Sequence, residues 1–328
     1  MIGIFKQKNP ANLFLLFVIG VLLRLPIFMH PHQPVVHASD GILFTGLLRL
    51  LNPAAASFPV LYPLLAYGLL FVQAVVLTRF INNQRMMTRP TYLPGMAYLL
   101  ISALLPGWNY FSAPLLVNSI LLLILSGLFG IYNKPDARGT IFNMGVALGV
   151  AGFLYFPSLA FLLWIWLALA VMRPFRISEW LICLLGVIAP FYFYGVYVFV
   201  AGHWSRELLP VIRLGLPDFN RSLWLAGAVF LAFAPFLAGG YYIQQHRRRM
   251  LINVRKGWSL LLLLLLPALL LPFINPGDTM ETWIMGIVPL AAFHASAYLY
   301  PAWRLFPLLC FWLTIAFVIA WQYTAPGW

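Results

Sequence analysis

The sequence predicts an all-α fold: a polytopic transmembrane helical bundle of about 11 spans, with short interfacial helices on the outer face. Of the 328 residues, 63% are hydrophobic and only 8% are charged, whereas about one quarter of a soluble domain is charged. So few charges cannot cover a water-facing surface. In lipid the backbone must satisfy its own hydrogen bonds, so apolar runs such as Leu260–Leu271 should form helices.

The apolar runs define the order of the spans along the chain. Each is close to the roughly 20 residues that a bilayer requires, except the third, fifth and sixth, which are shorter. We expect all of them to belong to one integral membrane domain, residues 1–328. The predicted spans are 11–29, 58–79, 91–105, 114–132, 141–154, 158–172, 181–200, 223–243, 258–274, 283–300 and 305–323.

The basic residues predict the orientation of these spans. With the N-terminus in the cytoplasm, 15 of the 20 basic residues fall on cytoplasmic segments, as the positive-inside rule requires. We therefore expect a bacterial inner (plasma) membrane protein with a periplasmic C-terminus. The residues on the predicted inner side are Lys6, Lys8, Arg79, Arg85, Arg89, Lys134, Arg138, Arg173, Arg176, Arg247, Arg248, Arg249, Arg255, Lys256 and Arg304.

Several functions are excluded by the same pattern. The net charge of +13 is divided among short clusters rather than gathered in one patch, so we expect no nucleic-acid partner. Cys183 and Cys310 both lie in apolar spans, which argues against a disulfide framework. No Walker, Gly-x-Ser-x-Gly, His-Glu-x-x-His or Cys-x-x-Cys motif is present, and we expect no cofactor. The basic run 244–256 is interpreted as a topology determinant that contacts anionic membrane lipids.

Two predicted outer segments are longer than turns. After a polar loop, the first continues as Gly41–Leu51, whose spaced apolar residues predict an interfacial helix with Asp40 as its N-terminal cap. The second segment, 201–222, mixes charged and apolar residues and should contain another short interfacial helix. Five of the seven acidic residues lie on this side, so potential chemistry is concentrated on the outer face.

Arg24 and Asp40 are the leading candidates for function. Arg24 lies inside the first span, where it either reaches the outer headgroups or faces a polar cavity and meets Asp40 or a phosphate. Asp40 is either a helix cap or a catalytic base whose pKa is raised by nearby apolar surface. His30, His32, His37 and Asp40 could bind a divalent metal, but their spacing matches no standard site, so we predict no metal site and an exposed polar loop.

The second outer segment carries a charged cluster as well. Its arginines either reflect the tolerance of long loops for charge or bind a lipid phosphate through bidentate hydrogen bonds. We predict substrate-binding roles for Arg24, His37, Arg206, Glu207, Arg213 and Asp218. His294 in the tenth span should form an interhelical hydrogen bond. The spans contain no acidic residue that could relay protons, which argues against an ion-coupled transporter.

A first span, an outer loop with the acidic residue Asp40, an interfacial helix and many further spans together resemble the GT-C superfamily of membrane glycosyltransferases. This resemblance is architectural and covers about the first 80 residues. It implies that Asp40 is the base that activates the acceptor. It also implies that Arg24 and Arg206 hold the phosphate of a polyprenyl-phosphate-linked sugar. The Ser39-Asp40-Gly41 segment has one acid where that superfamily often has two.

The whole chain also resembles an uncharacterised family of multi-pass proteins from the Bacteroidetes, which implies a fold and a location but no activity. The stretches that carry this resemblance are 156–158, 173–175, 179–180 and 186–190. Three functions therefore stay open at this point. They are a lipid-linked sugar transferase acting at the outer face, a non-catalytic membrane subunit or scaffold for envelope biogenesis or secretion, and a transporter.

Overall fold

A computed structural model describes residues 2–7, 9–202, 214–216, 223–275, 280–301 and 305–324. The described residues form fourteen α-helices, short 3-10 helices and no named strand. In chain order the helices are α1 Ile2–Phe5, α2 Pro10–Leu22, α3 Leu25–Met29, α4 Ile42–Ser57, α5 Leu61–Asn83, α6 Leu93–Ser102, α7 Ala113–Gly130, α8 Arg138–Leu154, α9 Phe161–Met172, α10 Ile177–Val200, α11 Leu223–His246, α12 Ile252–Leu270, α13 Ile287–Leu299 and α14 Leu305–Thr324.

The all-α prediction is confirmed. Within the described chain, seven helical segments are long and apolar enough to cross a membrane; four of them belong to α5, α7, α10 and α14. The other three include the 3-10 turns that adjoin α11, α12 and α13. Shorter apolar helices occupy the remaining predicted spans. The predicted short spans are therefore real helices, and one of them, α9, directly follows the 3-10 turn Phe156–Ala160.

The connecting segments gather at two ends of the bundle. At one end, here called the His37 end, residues 30–41, 106–112, 154–158, 271–275 and 280–281 contact one another. At the other, the Arg247 end, residues 79–92, 131–138, 172–179 and 244–257 are joined through contacts of Arg173, Lys256 and Tyr300. Segments that the charge pattern assigned to one side thus share one end, and the assignment of the Arg247 end to the cytoplasm stays a prediction.

The centre of the bundle is built on α6 and α13. All ten residues of α6 are buried, and α13 is buried along nearly its whole length. A helix that is apolar on every side is stable only when other helices surround it. Small residues allow close contact there: a side chain at Gly239 of α11 would overlap the carbonyl oxygen of Phe293 in α13. These two helices form the scaffold on which the peripheral helices pack.

Helices α8 and α10 approach each other through glycines. A Cβ atom on Gly145 would overlap the carbonyl oxygen of Cys183, and one on Gly186 would overlap that of Phe142. Small residues four apart, as at Gly145 and Gly149, are a common way for membrane helices to bring their backbones together. The contact fixes the position of the C-terminal end of α8, which leads into the His37 end.

The predicted first span is not one continuous helix. It breaks at Arg24, whose backbone is not helical, and α3 restarts with Pro26 in its first turn. Proline lacks an N–H group, and its ring clashes with the carbonyl group four residues earlier, so Pro26 interrupts a continuous helix but fits the first turn of a new one. The expectation of an unbroken helix over 11–29 is therefore wrong, and the break frees backbone carbonyl groups.

The helix predicted over Gly41–Leu51 is present but longer, since α4 runs from Ile42 to Ser57 with Pro53 inside it. The prediction that Asp40 caps this helix is wrong. The N-cap residue is Gly41, and no side chain caps the first turn. The Asp40 carboxylate instead accepts a hydrogen bond from the backbone N–H of His37 at 2.8 Å. Asp40 thus closes the preceding loop and does not terminate the helix.

A buried ion pair holds the Arg247 end together. The Arg173 guanidinium donates to both carboxylate oxygens of Glu179 at 3.0 to 3.2 Å and to the carbonyl oxygens of Ile131 and Lys134. Both side chains are less than a tenth exposed. Because Arg173 joins the α9–α10 turn to the end of α7, it fixes the relative positions of three helices.

We predict that Glu179→Gln destabilises the protein by about 3–5 kcal/mol, because it leaves a buried arginine without its counter-charge. Thermal unfolding of the purified protein, followed by loss of the monodisperse peak, measures this change. Arg176→Gln, beside the pair but exposed, should unfold within about 0.5 kcal/mol of wild type. Equal stability of the two variants would contradict the structural role given to the pair.

Candidate functional site

Backbone pairing places Asp40 at the His37 end. The loop before α4 runs antiparallel to the junction that follows α8, and Asp40 and Tyr155 form an isolated β-bridge. Gly41 N–H donates to the Leu154 carbonyl at 2.8 Å, and Phe156 N–H donates to that of Ser39 at 3.1 Å. The position of Asp40 therefore depends on α8, more than a hundred residues away in sequence.

Gly41 makes this pairing sterically feasible. A Cβ atom on Gly41 would overlap the carbonyl carbon and oxygen of Phe153. Both atoms belong to the backbone of the last turn of α8, so they cannot rotate away as a flexible side chain would. Residue 41 must therefore be glycine if the loop is to stay this close to α8.

Two carboxylates flank His37. Asp40 accepts a hydrogen bond from the His37 backbone, and a Glu281 carboxylate oxygen lies 3.7 Å from His37 Nε2. The side chains of His37 and Glu281 are about a fifth exposed, and Asp40 is also half-buried. Gly107 leaves room for the second acid, since a Cβ atom there would lie 3.0 Å from Glu281 Cγ. The site therefore combines two acids and an imidazole that remain accessible.

Polar residues from other segments complete this end. Asn275 Nδ2 donates to the buried Ser39 Oγ at 2.8 Å, which ties the end of α12 to the loop before α4. Burial, with a smaller effect of the nearby Glu281 charge, raises the pKa of Tyr110 above its ordinary value. Four buried polar atoms here have no hydrogen-bond partner among the described residues: Asn109 Oδ1, Ser112 Oγ, Ser158 Oγ and Thr282 Oγ1.

The histidines of the loop do not converge on one point. The His32 ring lies 5.1 Å from that of Tyr110, and its Nδ1 is 2.9 Å from the His30 carbonyl oxygen. In the part of the chain that the structure describes, no group of three or more metal-binding side chains could hold an ion. His37 is the one histidine of the loop that contacts an acidic side chain in the described structure.

Arg24 lies in the interior and not at the site. It is 2% exposed, so it does not reach the headgroup region. Its guanidinium donates to the carbonyl oxygens of Gly20 and Leu99 and to Ser102 Oγ, at 3.3, 3.2 and 2.6 Å. Within the described ranges no carboxylate forms an ion pair with it. The C-terminal ends of α2 and α6, where partial negative charge accumulates, surround the cation.

His294 forms the interhelical hydrogen bond that its position predicts. It is buried in α13, and its Nε2 lies 2.6 Å from the Ala232 carbonyl oxygen in α11. Arg206, Glu207, Arg213 and Asp218, by contrast, lie outside the described residues, as does most of the predicted interfacial helix of the second segment. Of the predicted site residues, the structure thus brings together Asp40 and His37.

An apolar cavity of about 180 Å³ lies beside this polar site. Its lining comes from α11, α12 and α13, from the segment that follows α6 and from the 3-10 helix before α13, and it includes Ala228, Trp108 and Trp283. Trp108 Nε1 donates to the carbonyl oxygen of Met280, the residue before Glu281. Trp283 belongs to the same 3-10 helix, Met280–Gly286, as Glu281. One short helix therefore contributes to both the polar site and the apolar cavity.

Sequence reasoning missed Glu281, Asn275 and Tyr110 as members of the site. The signal for Glu281 was its predicted place among the few acids of the outer side. Nothing in its spacing shows that it meets His37, because the two residues are separated by most of the chain. Their proximity arises only when the tenth span packs at the bundle centre.

Comparison with known proteins finds no match: no family model, no curated protein and no solved structure matches this chain. The fold itself defines the class. With its apolar helices and buried helical centre, the chain is a multi-pass, all-helical membrane protein.

We predict that Gly41→Ala lowers the unfolding temperature and displaces Asp40, because the added methyl group overlaps the backbone of Phe153. The cost should be about 1–3 kcal/mol, as for other overpacked positions. The matched control is Gly46→Ala in α4, where nothing lies within 4 Å of the new methyl group. This control should be neutral or stabilising by up to about 1 kcal/mol. A Gly41→Ala protein as stable as Gly46→Ala would show that the close approach is absent.

Proposed function

We propose that this chain is a membrane-embedded transferase of GT-C-like architecture that uses a polyprenyl-phosphate-linked sugar at the outer face of the bacterial inner membrane. The observation that supports this proposal best is the pairing of two environments at the His37 end. A polar site with two carboxylates adjoins an apolar cavity lined by Trp108 and Trp283. A lipid-linked sugar has the matching chemistry, since a polar reacting group is joined to an apolar chain.

The proposed chemistry assigns a role to each acidic residue. The Asp40 carboxylate removes the proton from an acceptor hydroxyl, whose oxygen then attacks the anomeric carbon of the sugar. The bond between this carbon and the phosphate oxygen breaks, and the polyprenyl phosphate leaves with the bonding electrons. Glu281 and His37 orient Asp40 and the acceptor. The second acid, which the segment 39–41 lacks, is thus supplied by a distant part of the chain.

Arg24 receives a positioning role in this proposal. Its guanidinium binds the ends of α2 and α6, so it shapes the wall of the bundle behind the loop that carries Asp40. Binding of the donor phosphate is then assigned to the predicted substrate-binding residues of the second outer segment, Arg206 and Arg213. In this assignment Arg24 interacts with the helix dipoles inside the bundle, whereas Arg206 and Arg213 bind the substrate.

A non-catalytic subunit of an envelope or secretion complex is the alternative from a different class. It would use the same surface for protein contacts and would not depend on a proton acceptor at residue 40. The two proposals therefore predict different effects of replacing Asp40 with asparagine, which removes the negative charge but keeps the shape of the side chain.

We predict that Asp40→Asn abolishes rescue of a deletion strain while leaving expression and thermal stability near wild type. The asparagine amide oxygen can still accept the hydrogen bond from His37 N–H, so the loop is retained, but the base is lost. Growth of the complemented strain and the amount of protein in the membrane are the measurements. Glu281→Gln should reduce rescue less severely.

Asp136→Asn is the matched control, because Asp136 is an exposed acid at the Arg247 end that also accepts a local backbone hydrogen bond. It should rescue fully. A photoreactive polyprenyl phosphate should label the purified wild type and Asp40→Asn equally, since the apolar cavity is unchanged. Full rescue by Asp40→Asn would contradict the enzyme proposal and favour the scaffold.

A further inference from the structure

A second cavity, of about 330 Å³, lies at the Arg247 end and has no part in the proposed reaction. It is formed between α11 and α12, next to the 3-10 turn Arg247–Arg249 that connects them. Gly240 of α11 also lines the cavity, and because glycine has no side chain it leaves space there. The cavity therefore opens where a predicted inner surface meets the side of the bundle.

The mouth of this cavity is cationic. Arg247 and Arg255 both line it, together with the polar residues Gln244 and Ser259. Among the described residues, neither arginine forms an ion pair. Arg248 and Arg249, which follow in the same turn, are exposed and do not line the cavity. Two arginines thus line one cavity, and its described lining contains no acidic residue to neutralise them.

The deeper walls are apolar and contain one unsatisfied donor. Phe236, Leu262 and Phe293 line the cavity with Trp258, which is 3% exposed. The Trp258 indole Nε1 has no acceptor in the part of the chain that the structure describes. An indole nitrogen can only donate, and a buried donor without a partner costs about 1–3 kcal/mol. The cavity therefore combines two arginines with walls that are largely apolar.

We propose that this cavity is a specific site for one anionic phospholipid. The phosphate group binds between Arg247 and Arg255, since guanidinium groups pair with phosphate oxygens through strong bidentate hydrogen bonds. An acyl chain of the lipid lies against Phe236 and Leu262. Basic pockets between membrane helices on the cytoplasmic side suit this class of headgroup.

The apolar walls favour a phospholipid over free phosphate or a nucleotide. Free phosphate would use the two arginines but would leave the walls of Phe236, Leu262 and Phe293 uncovered. An acyl chain covers these walls with apolar surface, which free phosphate does not provide. The site also differs from general attraction to an anionic membrane surface, which would draw equally on the exposed Arg248 and Arg249.

The test uses the purified full-length protein in neutral phosphatidylcholine nanodiscs containing a small fraction of phosphatidylglycerol, with bound lipid measured by native mass spectrometry. Wild type should retain one phosphatidylglycerol. We expect the double variant Arg247→Gln/Arg255→Gln to bind it on the order of thirtyfold more weakly, since each arginine near the surface contributes about 1 kcal/mol. Arg248→Gln/Arg249→Gln, with the same change in net charge, should retain it. The single variant Arg255→Gln removes one of the two arginines and should weaken binding about fivefold.

Equal loss of lipid in the two double variants would overturn the proposal, because it would show surface attraction only. Displacement of the lipid by millimolar inorganic phosphate would overturn the lipid assignment in favour of a free anion. Displacement by a nucleotide at similar concentration would do the same. If the double variant fails to give monodisperse protein, the comparison of Arg255→Gln with wild type decides, and unchanged retention there contradicts the site.

Discussion

The structure depends on one constraint: backbone carbonyl and N–H groups that leave a helix inside a membrane must find partners within the protein. This bundle contains several helix breaks, and buried polar side chains meet the freed carbonyl groups. At the break after α2, Gln322 donates to the Leu23 carbonyl at 2.7 Å. After α6, Trp321 donates to that of Ala103 at 3.2 Å. The last helix, α14, thus caps two internal helix ends.

The same constraint explains Arg24. A buried arginine without a carboxylate would be very costly if it stood alone in hydrocarbon. Here Gly20 and Leu99 supply carbonyl oxygens from two helix ends, and the dipoles of those helices favour positive charge. The cation therefore stabilises the broken geometry that lets α3 and the following loop turn toward α8. The position of Asp40 follows from this turn and from its pairing with Tyr155.

The fold was largely predictable because apolar length and charge alternation reflect the bilayer directly. The span predicted over 114–132, for example, corresponds to α7, Ala113–Gly130. Long-range convergence was not predictable. Glu281 reaches His37 only through the packing of α13, and Gly41 approaches Phe153 only because α8 is held by α10. Helix-breaking residues such as Pro26 are visible in the sequence. The sequence does not show which buried side chains bind the carbonyl groups that the break leaves free, so the geometry of the break was not predictable.

Labelling from one side of the membrane tests the central claim, that the His37 and Arg247 ends face opposite aqueous compartments. In a chain with Cys183 and Cys310 replaced by alanine, single cysteines are introduced as Val35→Cys or Arg248→Cys, both at exposed positions. A membrane-impermeant maleimide should label residue 35 in intact spheroplasts and residue 248 only after permeabilisation. Labelling of both residues in intact spheroplasts, or of residue 248 alone, would contradict the architecture and the placement of the site.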